Sequence, residues 1–139
     1  MLKIEGLASR ELDWKDLDAL AHDDALVVGT EKLSNKVRGE GVRLAALLTS
    51  LDPRVTHVMV HDDDKYRACL SLEEARNAAV LAHRLDGAPL PEAMGGPIRL
   101  LVPTSNNACM SVKKVARITF LDHAEPDTVP RPTYEVRKT

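Results

Sequence analysis

Turn-forming residues divide the apolar part of this chain into short segments, which limits the folds that it can adopt. The segments are separated by Gly, Pro, Asp and Asn. Apolar runs of this length between turn residues are typical of β-strands, since a core helix needs a longer periodic segment. Strands are therefore predicted over 25–28, 55–61, 80–85, 98–102 and 115–121.

Three segments show helical signals instead. Asp13 is a predicted N-cap of a short helix, and Ser71 with Glu74 forms a capping box at the start of another. A third helix is predicted over 42–51, where an Asp-Pro pair would end it. Strands and helices do not alternate regularly, so the predicted fold is a single compact α+β domain of mixed short strands and helices.

The chain has 139 residues, a length that suits one domain. We expect residues 1–123 to form it. Residues 124–139 are polar and contain several prolines, so we expect a tail or a strap on the surface. An exposed edge strand in so short a chain predicts a homodimer.

Charge and composition exclude several classes of protein. The formal net charge is −2, and the longest basic run is Lys113-Lys114, so nucleic acid is not an expected partner. No apolar run approaches membrane length and the first residues lack a signal-peptide pattern, which predicts a cytoplasmic protein without membrane contact. Cys69 and Cys109 match no metal-ligand spacing and require no disulfide.

Histidines occur in two predicted strands. His57 and His61 share a face of the strand over 55–61 with Met59, opposite Val58 and Val60. Two histidines on one strand face can bind a divalent metal, and the alternative is a solvated edge strand. His83 lies inside an apolar strand, where a structural role is expected.

The segment 104–113 contains five small polar side chains and then a lysine. Such a loop offers hydroxyl, amide and backbone donors together with one cation, which suits an anionic ligand. The alternative is a solvated loop between two strands.

Six short motifs follow one another along the chain. They are GVRL at 41–44, DKY at 64–66, LSLEEA at 70–75, DGAPLP at 86–91, GGPIRLLVP at 95–103 and SVK at 111–113. Their order resembles the molybdopterin-binding domain of sulfite-oxidase-like oxidoreductases. Each motif alone has low specificity, whereas the six in order are specific, and the resemblance covers nearly the whole chain.

The resemblance implies the sulfite-oxidase molybdopterin-binding fold and a molybdopterin-type cofactor. Lys113 would supply positive charge for a phosphate-like group. The residues that it predicts to bind the cofactor are Thr30, Asp64, Tyr66, Asn106, Asn107, Ser111, Val112 and Lys113.

Two departures from the family pattern concern the metal. Gly29 stands where the family has its molybdenum-ligating cysteine, and Met110 stands where the sulfite-oxidising branch has an oxyanion-binding arginine. A glycine supplies no soft ligand. Cys109 could offer a thiolate from elsewhere, or be a small residue in a polar loop. No catalytic residue and no metal ligand are therefore assigned.

Two interpretations of function remain. In the first, the protein is a molybdopterin-binding oxidoreductase-like domain with weakened or absent molybdenum redox activity. In the second, it is a non-enzymatic member of the family that binds a small anion or a protein partner through the former cofactor pocket.

Overall fold

The computed structural model describes residues 2–33, 37–103 and 109–126. Within them the chain forms two short α-helices, α1 (Trp14–Ala19) and α2 (Leu72–Asn77). The strands in chain order are β1 (Leu2–Gly6), β2 (Arg10–Leu12), β3 (Leu26–Val28), β4 (Glu40–Arg43), β5 (His57–His61), β6 (Arg67–Ser71), β7 (Val80–Leu85), β8 (Ala88–Pro89), β9 (Arg99–Pro103), β10 (Cys109–Val112) and β11 (Arg117–Leu121).

The described strands form two sheets. The first sheet has the order β2-β1-β11-β5-β6, and the second has the order β10-β9-β7-β4-β3, with β8 beside β7. Strand β1 runs parallel to β11, and the other described pairs are antiparallel. Short strands with few helices confirm the predicted α+β class.

The main hydrophobic core lies between the two sheets. Alternate residues of each sheet point into it, including Val58, Val60, Ile118 and Phe120 from the first sheet and Val42, Leu81, Leu100 and Val102 from the second. A smaller cluster of Val37, Ala82, Leu90 and Leu101 covers the other face of the second sheet. The remaining face of the first sheet, called here the outer face, carries polar residues such as Lys3, His61, Arg67 and Arg117.

Two sequence predictions of local structure are wrong. Residues 42–51 do not form an α-helix, because 40–43 pair as strand β4 between β3 and β7 and only Leu44–Leu47 form a 3-10 turn. The segment 104–113 is not one continuous loop, because Cys109–Val112 pair with β9 as strand β10. In both cases strand pairing and burial of alternate apolar side chains outweigh local propensity.

The N-cap predicted at Asp13 and the capping box predicted at Ser71 and Glu74 are both confirmed. Ser71 Oγ accepts a hydrogen bond from the Glu74 N–H at 3.1 Å, and Glu74 Oε1 accepts one from the Ser71 N–H at 3.2 Å. Asp13 and Asp16 make the same reciprocal pair at the start of α1. Local sequence therefore fixes where each of these helices begins.

Replacing Ser71 with alanine should lower the free energy of unfolding by about 1 kcal/mol, because the first turn of α2 loses its side-chain acceptor. Urea denaturation measures this change. The Ser71→Asp variant keeps an acceptor at the same place and should unfold close to the wild type. Equal losses in both variants would show that the cap contributes nothing specific.

Helix α1 is attached to the second sheet through polar contacts around His83, whose side chain is fully buried. The Trp14 indole N–H donates to the His83 carbonyl oxygen at 2.7 Å, and Asp18 Oδ1 lies 2.8 Å from His83 Nε2. Asp18 Oδ1 also accepts from Arg84 Nη1 at 2.8 Å, and Arg84 Nε donates to Glu40 Oε1 at 2.8 Å. His83 thus has the structural role predicted from its position in an apolar strand.

The two ring nitrogens of His83 have different surroundings. Its Nδ1 is buried and has no hydrogen-bond partner within the described ranges. A proton on Nδ1 would therefore be buried without an acceptor, which is costly. Nε2 is therefore the ring nitrogen that donates, and Asp18 Oδ1 is its acceptor.

Among the residues that the structure describes, no helix combines the length and the apolar character that crossing a membrane requires.

Candidate functional site

Two cations lie side by side at the end of the second sheet where β9 begins and β10 ends. Arg99 is the first residue of β9, and Lys113 directly follows β10. The Arg99 guanidinium donates from Nη2 to Ser111 Oγ and from Nη1 to the Met94 carbonyl oxygen, both at 3.1 Å. Because Ser111 Oγ accepts from Arg99, the hydroxyl hydrogen is directed to another acceptor. We call Arg99, Ser111 and Lys113 the Arg99–Lys113 cluster.

The Gly95-Gly96 turn allows this close approach. Gly95 has a φ of +86°, and a Cβ there would lie 2.8 Å from Lys113 Cγ and 2.9 Å from Arg99 Cδ. A Cβ on Gly96 would collide with the carbonyl oxygen of Leu90. The turn thus brings the start of β9 against the end of β10.

Ser111 and Lys113 are the two predicted site residues that the structure brings together. Arg99 was not among the predicted site residues. In the structure it is only 7% exposed. The available signal was an arginine at an alternate position of an apolar strand, because a buried charge requires partners. The Lys113 side chain is exposed and can reach a ligand.

Thr30 and Val112 are buried in the fold. Val112 is part of the main core at 1% exposure. Thr30 is fully buried, and its hydroxyl donates to the Val37 carbonyl oxygen at 2.9 Å. Strand β3, which precedes Thr30, is separated from β10 by three strands of the second sheet. The structure therefore does not bring Thr30 to the Arg99–Lys113 cluster.

Asn106 and Asn107 lie outside the described residues, so their predicted role stays a prediction. The register of β9 and β10, the strands on either side of them in the sequence, is defined. Cys109 pairs with Pro103, and Val112 pairs with Leu100. The end of the β9–β10 hairpin where the chain passes from 103 to 109 is therefore opposite to the end that leads to Lys113.

Asp64 and Tyr66 lie in the turn between β5 and β6. The turn is held by Asp62, whose Oδ1 accepts from the Asp64 N–H at 2.8 Å and from the Tyr66 N–H at 3.0 Å. Asp64 is exposed and Tyr66 is 47% exposed. Asp63 of this turn lines one cavity with Lys114, whereas Asp64 and Tyr66 are not among the residues that line it.

Lys114 borders a cavity of about 540 Å³ together with Asp63, Glu92 and Pro97. Its Nζ donates to Glu92 Oε1 at 2.8 Å, and this hydrogen bond lowers the pKa of the Glu92 carboxyl. Lys114 is thus paired within the protein, which makes it a useful comparison for Lys113.

The described residues do not fit a thiolate-bound molybdenum. Gly29, at the expected ligand position, has a φ of +75° and no side chain. Cys69 is buried in β6 of the first sheet, and Cys109 lies on β10. Within the described ranges no three His, Cys, Asp or Glu side chains are close enough to hold a metal ion. The Arg99–Lys113 cluster, by contrast, fits an anionic group.

Comparisons with known proteins agree with the motif order. A family model described as the oxidoreductase molybdopterin binding domain matches residues 1–129. Among solved structures, the sulfane dehydrogenase SoxCD from Paracoccus pantotrophus is similar in fold, with a TM-score of 0.63 and 22% sequence identity. The match covers 88% of this chain and 38% of that chain, so this chain spans well under half of that relative. No curated protein sequence matches significantly.

Proposed function

Because the chain belongs to the oxidoreductase molybdopterin-binding domain family, we propose that it binds the phosphate-bearing pterin part of a molybdopterin-type cofactor. The proposed site is the Arg99–Lys113 cluster, and the proposal includes no molybdenum redox turnover. Family membership agrees with the resemblance inferred from the six motifs. The main observation in favour is the pair of cations held at one end of the second sheet.

Each member of the cluster has a different part in this proposal. Lys113 is exposed, so its ammonium group can contact a phosphate oxygen directly. Arg99 is largely buried and acts through Ser111, whose hydroxyl it orients by donating to Oγ. A phosphate would then accept hydrogen bonds from the Lys113 ammonium and the Ser111 hydroxyl.

Replacing Lys113 with alanine should weaken binding of a pterin phosphate by about ten- to a hundredfold. A charge-assisted hydrogen bond contributes about 1.5–3 kcal/mol, which corresponds to that range. Isothermal titration calorimetry with a pterin that carries a phosphomethyl group measures the change. The matched control is Lys114→Ala, since Lys114 is the adjacent lysine but already pairs with Glu92. Equal weakening in both variants, or no binding by the wild type, would reject the site.

The same titration separates the two interpretations of function. If the pterin ring contributes, the phosphopterin should bind more tightly than inorganic phosphate, and both should weaken in Lys113→Ala. Equal affinity for the two ligands would favour the alternative, a non-enzymatic protein that binds a small anion at this cluster.

Protein purified from a molybdenum-replete host should contain far less than one molybdenum per chain, because Gly29 supplies no thiolate. Elemental analysis measures the metal. A near-stoichiometric molybdenum content would contradict the prediction, and the Cys109→Ser variant would then show whether Cys109 is the ligand.

A further inference from the structure

One row of side chains on the outer face of the first sheet is buried. The strand register aligns Cys69 of β6 with Met59 of β5, and Met59 with Thr119 of β11. Residues opposite each other on neighbouring strands point to the same face. Met59 is 1% exposed and Cys69 is 7% exposed, although the two hydrophobic clusters described above do not include them. A sheet face in contact with water would leave this methionine accessible, so the row has a cover.

The cover belongs to the same chain. The exposed fractions refer to a single chain, so a partner molecule is not what buries the row. The first sheet packs its other face against the core, through Val58, Val60, Ile118 and Phe120. Side chains of the neighbouring rows stand roughly perpendicular to the sheet and shield this row only from the sides. A further segment of the chain therefore lies above it.

The chain bends directly after β11, around His123. Its Nδ1 lies 2.7 Å from Asp122 Oδ1, and its Nε2 lies 2.9 Å from Glu125 Oε2. Because an ionised carboxylate only accepts hydrogen bonds, both ring nitrogens donate in this arrangement. The hydrogen bond to Asp122 and then the one to Glu125 raise the pKa of His123 accordingly. These contacts hold a bend in the residues that follow the last strand.

The bend directs the chain back over the outer face. Leu121, the last residue of β11, pairs with His57 at one end of β5. Glu125 acts on His61 at the other end of β5, because burial lowers the pKa of His61 and Glu125 is one of two carboxylates that oppose this shift. His61 and Met59 are alternate residues of β5, so their rows are adjacent. The described part of the chain therefore ends, at 126, close to the buried row.

The sequence of residues 127–139 suits such a cover. Pro130, Pro132, Tyr134 and Val136 alternate with polar residues, the pattern of an extended segment with one apolar face. Because the prolines lack an amide hydrogen, they favour a segment that crosses a sheet face over one that continues its ladder. A segment of this length extends over about 40 Å, which is about twice the width of a five-stranded sheet.

We propose that residues 127–139 form a strap across the outer face of the first sheet, with Tyr134 and Val136 packed over Met59 and Cys69. The strap does not involve the Arg99–Lys113 cluster, so it is independent of the function proposed above. It keeps the Cys69 thiol, which lies on a strand at the end of the sheet order, away from solvent. Access to this thiol thus depends on whether the strap is closed, which makes Cys69 a reporter of its position.

Labelling of Cys69 with N-ethylmaleimide, followed by mass spectrometry, tests the strap in the full chain. The Cys109→Ser background leaves Cys69 as the sole thiol. Adding Tyr134→Ser and Val136→Ser to this background should make labelling about tenfold faster or more. The closed state then loses two buried apolar side chains, so the strap opens more often.

The matched control replaces Glu135 and Arg137 with serine in the same background. These residues occupy the alternate positions of the segment, and their joint replacement leaves the net charge unchanged. The control should be labelled at the background rate. Circular dichroism of each variant separates opening of the strap from unfolding of the domain. NMR of the wild type should show NOEs from Tyr134 or Val136 to the Met59 methyl group, and these decide alone if a variant unfolds.

Three results would overturn the proposal. The first is an equal labelling rate of Cys69 in the two double variants. The second is the absence of any NOE between Met59 and residues 127–139. The third is protection of Cys69 that disappears on dilution, which would mean that a second copy of the chain provides the cover.

Discussion

Replacing Gly96 with alanine is expected to lower the free energy of unfolding by about 3 kcal/mol or more. The added methyl group would collide with the carbonyl oxygen of Leu90, and it would also lie 2.9 Å from the carbonyl oxygen of Pro91. Both obstacles are backbone atoms, so rotation of a side chain cannot relieve them. Forcing extra volume into a packed site typically costs 1–3 kcal/mol and sometimes more. The melting temperature should therefore fall by about 10 °C or more.

Two other glycines of the same part of the chain are controls. Gly87 has a φ of +83° but no atom within 4 Å of an added Cβ, so Gly87→Ala tests backbone strain alone, about 1–2 kcal/mol. Gly95 combines a φ of +86° with contacts to two flexible side chains and should give an intermediate loss. Calorimetric melts of the three variants would contradict this account if Gly96→Ala were the least affected.

Replacing Asp18 with alanine should cost about 2–3 kcal/mol. Its carboxylate is the acceptor for both His83 Nε2 and Arg84 Nη1, each at 2.8 Å. Removing it leaves the N–H of a fully buried imidazole without a partner, which alone costs about 1–3 kcal/mol. Loss of a buried ion-pair partner can cost 3–5 kcal/mol, but the Asp18 side chain is 28% exposed, so water compensates in part.

The Asp18→Asn variant separates hydrogen bonding from charge. Its Oδ1 can still accept from His83, so most of the stability should remain, with a smaller loss from the weaker interaction with Arg84. Urea denaturation followed by circular dichroism measures both variants. An Asp18→Ala protein as stable as the wild type would show that these contacts do not hold α1 on the second sheet.

Five of the eleven described strands and both described α-helices were predictable because their signals are local. The alternation of His57, Met59 and His61 with Val58 and Val60 predicted a strand, and β5 spans His57–His61 with Val58 and Val60 in the main core. Ser71 and Asp13 predicted the starts of both helices. These patterns depend on neighbouring residues, so they do not require knowledge of the tertiary partners.

The errors arose where distant partners decide the structure. The segment 42–51 has a helical composition, but Val42 pairs with Leu26 on one side and Leu81 on the other, and a strand satisfies both. Strand β10 is short and polar at Ser111, so only its pairing with β9 identifies it. Neither partner can be identified from local propensity.

The candidate site was predictable only in part. Lys113 and Ser111 were expected at the site because they follow the polar segment and match a family motif. Arg99 was missed because its neighbours are apolar, and its link to Ser111 depends on the β9–β10 register. Thr30 was included by resemblance, but its hydroxyl satisfies a buried carbonyl of its own loop. Motif matching identifies positions and cannot tell which way a side chain points.

The pairing of β1 with β11 has a consequence for synthesis of the protein. Strand β11 joins two separate hairpins, β1–β2 from the beginning of the described chain and β5–β6 from its middle. During synthesis, the edges of β1 and β5 that pair with β11 stay unpaired until residues 117–121 have left the ribosome, because β11 is the strand that pairs with both. Contacts of such large sequence separation form slowly, and exposed edges in the meantime favour association between nascent chains. A translational pause before these codons would prolong that exposure, whereas one after them would allow the sheet to close.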